Sequence, residues 1–252
     1  MTKKTAFITG ATSGIGKATA ELFAKNQIRL ILCGRRKDRL IALKNDLGKY
    51  TDVTILAFDV RSNEEVKLAI ESLDDDFKDI DILVNNAGNA HGLSSIQEGS
   101  IEDWDAMLDI NVKGLLYVSR AILPRMVERN NGFVVNIGSI AGKEVYPNGN
   151  VYCATKYAVN ALNKAMRIDL NKHNIRVSGI HPGAVETEFS EVRFKGDKEK
   201  AKTVYQGYQA LQANDIADII YFVVTRPYHV SIEDLVVYPT AQATAMIMNR
   251  EA

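Results

Sequence analysis

Short apolar runs alternate along this chain with longer segments in which apolar positions recur every three or four residues. The short runs are rich in β-branched and aromatic residues, as strands are. They lack a clean alternation of apolar and polar positions, which is typical of strands covered on both faces. The pattern predicts strands at TAFIT (from Thr5), RLILC (Arg29), VTILAF (Val53), DILVN (Asp81), GFVVNI (Gly132), IRVSGI (Ile175) and DLVVY (Asp234). The helical period predicts helices over residues 16–26, 37–47, 63–72, 104–129, 152–173 and 215–224.

The repeated order of strand, helix and strand predicts parallel pairing with right-handed crossovers. The predicted fold class is therefore α/β: a single doubly wound Rossmann-type parallel sheet of about seven strands, with helices on both faces. No linker or internal repeat divides the chain, so residues 1–252 are predicted to form one dinucleotide-binding catalytic domain. Residues 182–212 carry mixed charges and no strand pattern. They are predicted to be a substrate loop, with a solvated surface excursion as the alternative.

Composition narrows the classes of partner. The chain has 31 Lys and Arg against 31 Asp and Glu, so nucleic acid and anionic membranes are not expected as main partners. Two cysteines, Cys33 and Cys153, suit a reducing compartment. With no signal-peptide core and no apolar run of membrane length, a cytoplasmic location is expected. The 4 histidines show no ligand spacing, so no metal is expected.

A glycine-rich turn, TGATSGIG, directly follows the first predicted strand. Gly10, Gly14 and Gly16 would let the backbone turn sharply and approach a pyrophosphate at the start of the next helix. Thr12 and Ser13 would add hydroxyl donors. A tight connection without a ligand is the alternative, but the position between strand and helix favours dinucleotide binding.

The end of the second predicted strand indicates which dinucleotide is bound. No Asp or Glu occurs from position 26 to 37, where an NAD enzyme needs an acid for the ribose hydroxyls, and Arg35 and Arg36 stand there instead. An arginine fork matches a 2′-phosphate, so the prediction is NADP rather than NAD. Surface arginines at a helix start are the alternative.

Two further strand ends carry polar groups. Asp59 could accept from an adenine amino group beside the Val60 backbone, or could simply open the next helix. In NNAG, which ends the fourth strand, Gly88 would let backbone approach a flat ring. The amides of Asn85 and Asn86 could tie neighbouring strand ends together.

The most informative pair is Tyr152 and Lys156 in YCATK. Of the 10 tyrosines, only Tyr152 has a lysine four residues later. This spacing places both side chains on one face of a predicted helix. Ser139 lies at the end of the fifth strand, and Asn111 lies in the long helix before it.

Taken in order, T-G-x3-G-I-G, N-N-A-G, the helix Asn, the strand-end Ser, Y-x3-K and P-G make the chain resemble the short-chain dehydrogenase/reductase family over essentially its whole length. The resemblance implies further cofactor contacts from Ile15, Asn86, Ala87, Pro182, Gly183, Val185 and Thr187.

The resemblance also implies catalytic roles. Tyr152 would be the general acid/base, and Lys156, with an oxidised nicotinamide nearby, would lower the phenol pKa from about 10 and hold the nicotinamide ribose. Ser139 would hydrogen-bond the substrate oxygen. Asn111 would hold a water that relays protons from Lys156.

The segments VETEFSEVRFKGD and YPTAQATA are similar to those of the NADP-dependent 3-hydroxy acid (serine and allo-threonine) dehydrogenase branch. A small hydroxy acid or semialdehyde is the implied substrate. Arg193 or Lys195 would bind its carboxylate, with an ion pair from Arg193 to Glu191 or Asp197 as the alternative. Homotetramers are usual in this family. Two alternative functions remain: an enzyme of the same family that acts on a different ketone or alcohol, and a non-catalytic NADPH-binding regulator.

Overall fold

A parallel sheet forms the centre of the computed structural model, which describes residues 3–251. The strands of the described chain are β1 (Thr5–Ile8), β2 (Arg29–Gly34), β3 (Val53–Ala57), β4 (Ile82–Asn85), β5 (Gly132–Ile137), β6 (Ile175–Pro182), β7 (Val185–Glu186), β8 (Leu211–Gln212) and β9 (Asp234–Val237). Seven of them form the central sheet in the order β3-β2-β1-β4-β5-β6-β9, and β7 pairs separately with β8. This confirms the predicted fold class.

The described chain has ten α-helices. They are α1 (Gly14–Lys25), α2 (Lys37–Leu47), α3 (Asn63–Glu71), α4 (Asp75–Lys78), α5 (Ile101–Leu108), α6 (Gly114–Glu128), α7 (Asn150–Leu170), α8 (Phe189–Arg193), α9 (Lys198–Thr203) and α10 (Ala213–Val224). Among them, α1, α2, α3, α6, α7 and α10 cover the two faces of the sheet. No helix among residues 3–251 is both long and apolar enough to cross a membrane.

The sheet separates two hydrophobic cores. Successive side chains of a strand point to opposite faces, so on β1 Ile8 packs with residues of α1, α2 and α10, whereas Phe7 packs with residues of α3, α6 and α7. Every residue of β1, β4 and β5 is buried. Coverage on both faces explains why these strands read as continuous apolar runs.

Strand order fixes the place of the site. The chain runs outward from β1 through β2 to β3, then returns to place β4 on the other side of β1. A crevice opens where the order reverses, at the carboxyl ends of β1 and β4, and ligands of such sheets bind there.

Two predictions of secondary structure from the sequence were wrong. The helix predicted over 104–129 is interrupted by a π-helical turn at Asp109–Lys113, which separates α5 from α6. The loop predicted to lack strands contains β7 and β8, which are too short, at two residues each, to produce a pattern.

Leucines on two helices that are consecutive in the chain but lie on opposite faces of the sheet offer a matched test of the core. Leu40 on α2 is fully buried, whereas Leu68 on α3 is 59% exposed. Leu40→Ala should lower the free energy of unfolding by about 2–5 kcal/mol, because it removes buried methyl groups and leaves a cavity. Leu68→Ala should change it by less than about 0.5 kcal/mol. Urea unfolding curves measure both, and equal effects would contradict the assigned packing.

Candidate active site

The glycine-rich turn forms one end of the site. Gly10 and Gly14 have positive φ angles of 65° and 52°, which side chains rarely adopt. A Cβ atom on Gly16 would lie 2.5 Å from the carbonyl oxygen of Gly10, so the turn can close only without one. Ser13 makes no side-chain cap on α1, which leaves the first N–H groups of the helix without a capping side chain. This arrangement fits the pyrophosphate of a dinucleotide.

Asparagines fix the neighbouring strand ends, as the sequence predicts. Asn85 Nδ2 donates to Asn136 Oδ1 at 3.0 Å and joins the ends of β4 and β5. Asn86 Nδ2 donates to the carbonyl oxygen of Thr9 at 2.8 Å and joins β4 to the glycine-rich turn. A Cβ on Gly88 would lie 2.9 Å from Asn111 Oδ1, so the backbone at Gly88 packs closely on the helix behind it.

The two predicted phosphate-binding arginines differ in their surroundings. The Arg36 guanidinium donates to the hydroxyls of Thr12 (2.8 Å) and Ser13 (2.7 Å), and so lies against the glycine-rich turn. Its Nη1 also donates to Glu188 of the substrate loop at 2.7 Å. Arg35 is more exposed, and its Nη1 lies 3.8 Å from Asp59 Oδ2.

Asp59 is held by a neighbour. Arg61 donates to both carboxylate oxygens of Asp59, the shortest bond being 2.6 Å from Nη2. Burial raises the pKa of Asp59, but these hydrogen bonds outweigh it and hold the pKa below its usual value. The adenine contact predicted for Asp59 stays a prediction.

Ser139, Tyr152 and Lys156 meet at the other end of the site. Ser139 follows β5, and its Oγ accepts from the backbone N–H of Ala141 at 3.1 Å. Tyr152 and Lys156 lie one turn apart on α7, and both are buried. Lys156 Nζ donates to the carbonyl oxygen of Ile137, the last residue of β5, at 2.9 Å.

Burial dominates the titration of this pair. It raises the pKa of the Tyr152 phenol, with a further rise from Tyr146, while a hydrogen bond with Ser139 and the charge of Arg193 oppose it. Burial also lowers the pKa of Lys156 from 10.5 to about 8. The expected lowering of the phenol pKa by Lys156 is therefore not present here. The additional effect of an oxidised nicotinamide stays a prediction.

Asn111 lies in the π-helical turn, which no sequence pattern indicated. Its amide exchanges hydrogen bonds with the backbone of Asn89, Oδ1 accepting at 2.9 Å and Nδ2 donating at 2.8 Å. Nδ2 also donates to Thr155 Oγ1 at 3.0 Å. π-Helical turns occur frequently at functional sites, and this one ties the loop after β4 to α7. The predicted proton relay through Asn111 is untested.

A single cavity of about 580 Å³ connects the two ends. Of the residues predicted to bind cofactor or substrate or to act in catalysis, all line it except Gly16, Asn111 and Lys195. Pro182, Gly183, Val185 and Thr187 line it on the side of β6 and β7, and their cofactor contacts stay predictions.

Arg193 reaches the catalytic end of this cavity. Its Nη2 donates to the hydroxyl of Tyr146 at 2.5 Å, and its guanidinium carbon lies 5.2 Å from the centre of the Tyr152 ring. Within residues 3–251 no carboxylate lies within 4.0 Å of Arg193, so the alternative pairing with Glu191 or Asp197 is not formed. Lys195, the rival cation, instead lies 3.0 Å from Asp103 Oδ2.

Sequence reasoning missed several residues of the site. Tyr146 holds Arg193, and Gln242 accepts from the backbone N–H of Ala184 at 2.9 Å through Oε1. Glu188 pairs with Arg36, and also with Arg39 on α2. These contacts join distant parts of the chain, so no local spacing could have indicated them.

Comparison with known proteins agrees with the geometry. The family model described as short chain dehydrogenase matches residues 4–198, and the chain therefore belongs to that family. A relative from Salmonella typhi, named NADP-dependent 3-hydroxy acid dehydrogenase, is 46% identical over 239 residues, covering 94% of this chain and 96% of the relative.

Two further relatives point the same way. The serine 3-dehydrogenase of Rhizobium radiobacter is 42% identical, with 96% of each chain covered. The closed form of a serine dehydrogenase complexed with NADP+ superposes with a TM-score of 0.92 at 43% identity, covering 96% of this chain and 98% of the other.

The low pKa of Lys156 has a measurable effect on stability. Between about pH 8 and pH 10.5, Lys156 keeps its proton in the unfolded chain but has lost it in the folded chain. The folded state therefore gains stability as the pH rises through this window. Lys156→Met removes the titrating group. We therefore expect the wild type to gain stability relative to Lys156→Met: the difference between their free energies of unfolding should rise between about pH 8 and pH 10. Urea unfolding across this range measures it, and a flat or falling difference would contradict the assigned pKa.

Proposed function

We propose that this chain is an NADP-dependent oxidoreductase that acts on the CH–OH group of a small 3-hydroxy acid of the serine, allo-threonine or 3-hydroxypropionate type. The main support for a 3-hydroxy acid as substrate is the position of Arg193. Its guanidinium lies beside the Tyr152 ring in the same cavity as the glycine-rich turn, without a carboxylate partner in the described chain. In a 3-hydroxy acid one carbon separates the reacting carbon from the carboxylate. One cavity must therefore offer an acid/base group and a cation side by side.

The residues at both ends of the cavity fit NADP. The glycine-rich turn and the start of α1 suit the pyrophosphate, and Arg36 suits a 2′-phosphate in the absence of an acid at the end of β2. When bound, the nicotinamide supplies or accepts the hydride. Lys156 lines the same cavity and would hold the nicotinamide ribose.

Tyr152 moves the proton. In the oxidising direction the phenolate form of Tyr152 accepts the proton of the substrate hydroxyl at Oη, and in the reducing direction the phenol donates its proton to the carbonyl oxygen. Ser139 hydrogen-bonds the same substrate oxygen and orients it. Arg193 binds the substrate carboxylate through its guanidinium, and Tyr146 keeps that guanidinium in place.

Two rival functions remain testable. A ketone or alcohol without a carboxylate would leave the Arg193 charge without a role. A non-catalytic NADPH-binding regulator would not need Ser139, Tyr152 and Lys156 together at one end of the cavity. Incubation with NADP+ and L-serine, followed by absorbance of the reduced cofactor, distinguishes an enzyme from a regulator.

We also propose a homotetramer in the cytoplasm. Support for assembly comes from exposed apolar residues on α5, α6 and α7, namely Leu108, Leu116, Tyr157 and Ile168. Such residues lose contact with water when copies associate. Support for the location comes from two buried free cysteines. Light scattering on the purified protein measures the number of subunits.

Tyr152→Phe tests the proton transfer. Loss of the phenolic oxygen should lower kcat at least about 100-fold, because general acid/base catalysis typically contributes that much. Binding of NADPH, followed by fluorescence, should persist. Tyr157→Phe is the matched control, because Tyr157 lies on the same helix with its hydroxyl bonded to the Lys143 carbonyl. Undiminished turnover by Tyr152→Phe would refute the mechanism.

Arg193→Ala tests the substrate class. The variant should raise KM for a 3-hydroxy acid at least about tenfold, because it removes a charge-assisted contact to the carboxylate. The KM for a neutral alcohol of similar size should change little. Lys195→Ala serves as the control, since Lys195 pairs with Asp103 outside the cavity. Equal effects of Arg193→Ala on both substrates would remove the role assigned to Arg193.

A further inference from the structure

One carboxylate bridges two arginines beside the glycine-rich turn. Glu188 Oε2 accepts from Arg36 Nη1 at 2.7 Å, and Glu188 Oε1 accepts from Arg39 Nη1 at 2.6 Å. Burial raises the pKa of Glu188, but the hydrogen bonds and charges of the two arginines outweigh it and hold the pKa below its usual value. The carboxylate is therefore ionised at neutral pH, with each oxygen on a different guanidinium.

The position of this carboxylate within the cavity is informative. The same Arg36 guanidinium donates to Thr12 and Ser13 of the glycine-rich turn. Thr187, the residue before Glu188, packs over Gly14, where an added Cβ would lie 3.3 Å from Thr187 Cγ2. Glu188 thus holds the edge of the substrate loop against the cofactor end of the cavity.

Two guanidiniums around one anion are also the surroundings that a phosphate monoester requires. The Arg36 and Arg39 side chains are 42% and 49% exposed, so a ligand from the cavity or from solvent can reach them. A phosphate dianion and the Glu188 carboxylate cannot share the pair without strong repulsion. One anion must leave when the other arrives.

We propose that Glu188 is an internal competitor for the 2′-phosphate of NADP, and that Arg39 joins Arg36 in receiving that phosphate once Glu188 is displaced. The inference rests on the proposed use of NADP. It adds two specificity-determining residues, Glu188 and Arg39, that lie outside the glycine-rich turn and outside the strand-end arginine pair. It also makes the affinity for NADP lower than the arginines alone would allow.

Binding of the adenosine half of the cofactor tests this without substrate or turnover. Adenosine 2′,5′-bisphosphate and AMP differ only in the 2′-phosphate, so calorimetric titration with each isolates the 2′ site. At constant ionic strength, Glu188→Gln should bind the bisphosphate about two- to tenfold more tightly, the modest range expected for the loss of exposed ion pairs. Its affinity for AMP should stay unchanged.

Two further variants complete the design. Glu191→Gln makes the same charge change on α8, where the described chain forms no ion pair with Glu191, and should leave both affinities unchanged. Arg39→Met should weaken binding of the bisphosphate and leave that of AMP unaltered.

Each contrary result has a distinct meaning. If Glu188→Gln binds the bisphosphate no more tightly than the wild type does, while the wild type still prefers the bisphosphate, the proposal that Glu188 competes with the 2′-phosphate is wrong. Unchanged binding by Arg39→Met overturns the role of Arg39. A wild type that binds both nucleotides equally overturns the 2′-phosphate site, and the inference with it. None of these outcomes depends on whether a 3-hydroxy acid is the substrate.

Discussion

The reversal of strand order between β1 and β4 is the constraint on which the site depends. All strands of the central sheet are parallel, so their carboxyl ends share one edge. The hydrogen bonds of Asn85 and Asn86 lock the ends of β1, β4 and β5 together there. A buried polar network of this kind is stable only when its members satisfy one another. The glycine-rich turn and the Ser139 turn are therefore fixed relative to each other.

Burial then gives this edge its chemistry. Burial raises the pKa of Tyr152 and lowers the pKa of Lys156. Both shifts favour the neutral form of the side chain. Positive charge close to the phenol opposes this preference, and Arg193 provides part of it. The same guanidinium that would recognise an acidic substrate thus also helps the phenol to lose its proton. In the proposed mechanism, substrate recognition and proton transfer would therefore be coupled through Arg193.

The sequence predicted the parts of the molecule that depend on local pattern. All seven strands of the central sheet were found within a few residues, because runs such as GFVVNI are mostly apolar and bounded by polar residues. The residues around the cavity were predicted where a motif places them at a strand end. The π-helical turn at Asn111 was missed because its apolar spacing continues that of the flanking helices. The contact of Arg36 with Glu188 was missed because 152 residues separate them.

The β7–β8 pair has a consequence for how this scaffold can diverge. Val185 pairs with Leu211, so the chain leaves the sheet edge and returns to it at adjacent points. The closure entropy of a flexible loop grows only slowly with its length. The span between these two strands can therefore lengthen, shorten or change in composition at small cost, while β6 and α10 stay in register. New substrate preferences can therefore evolve within that span while Ser139, Tyr152 and Lys156, which lie outside it, are inherited unaltered.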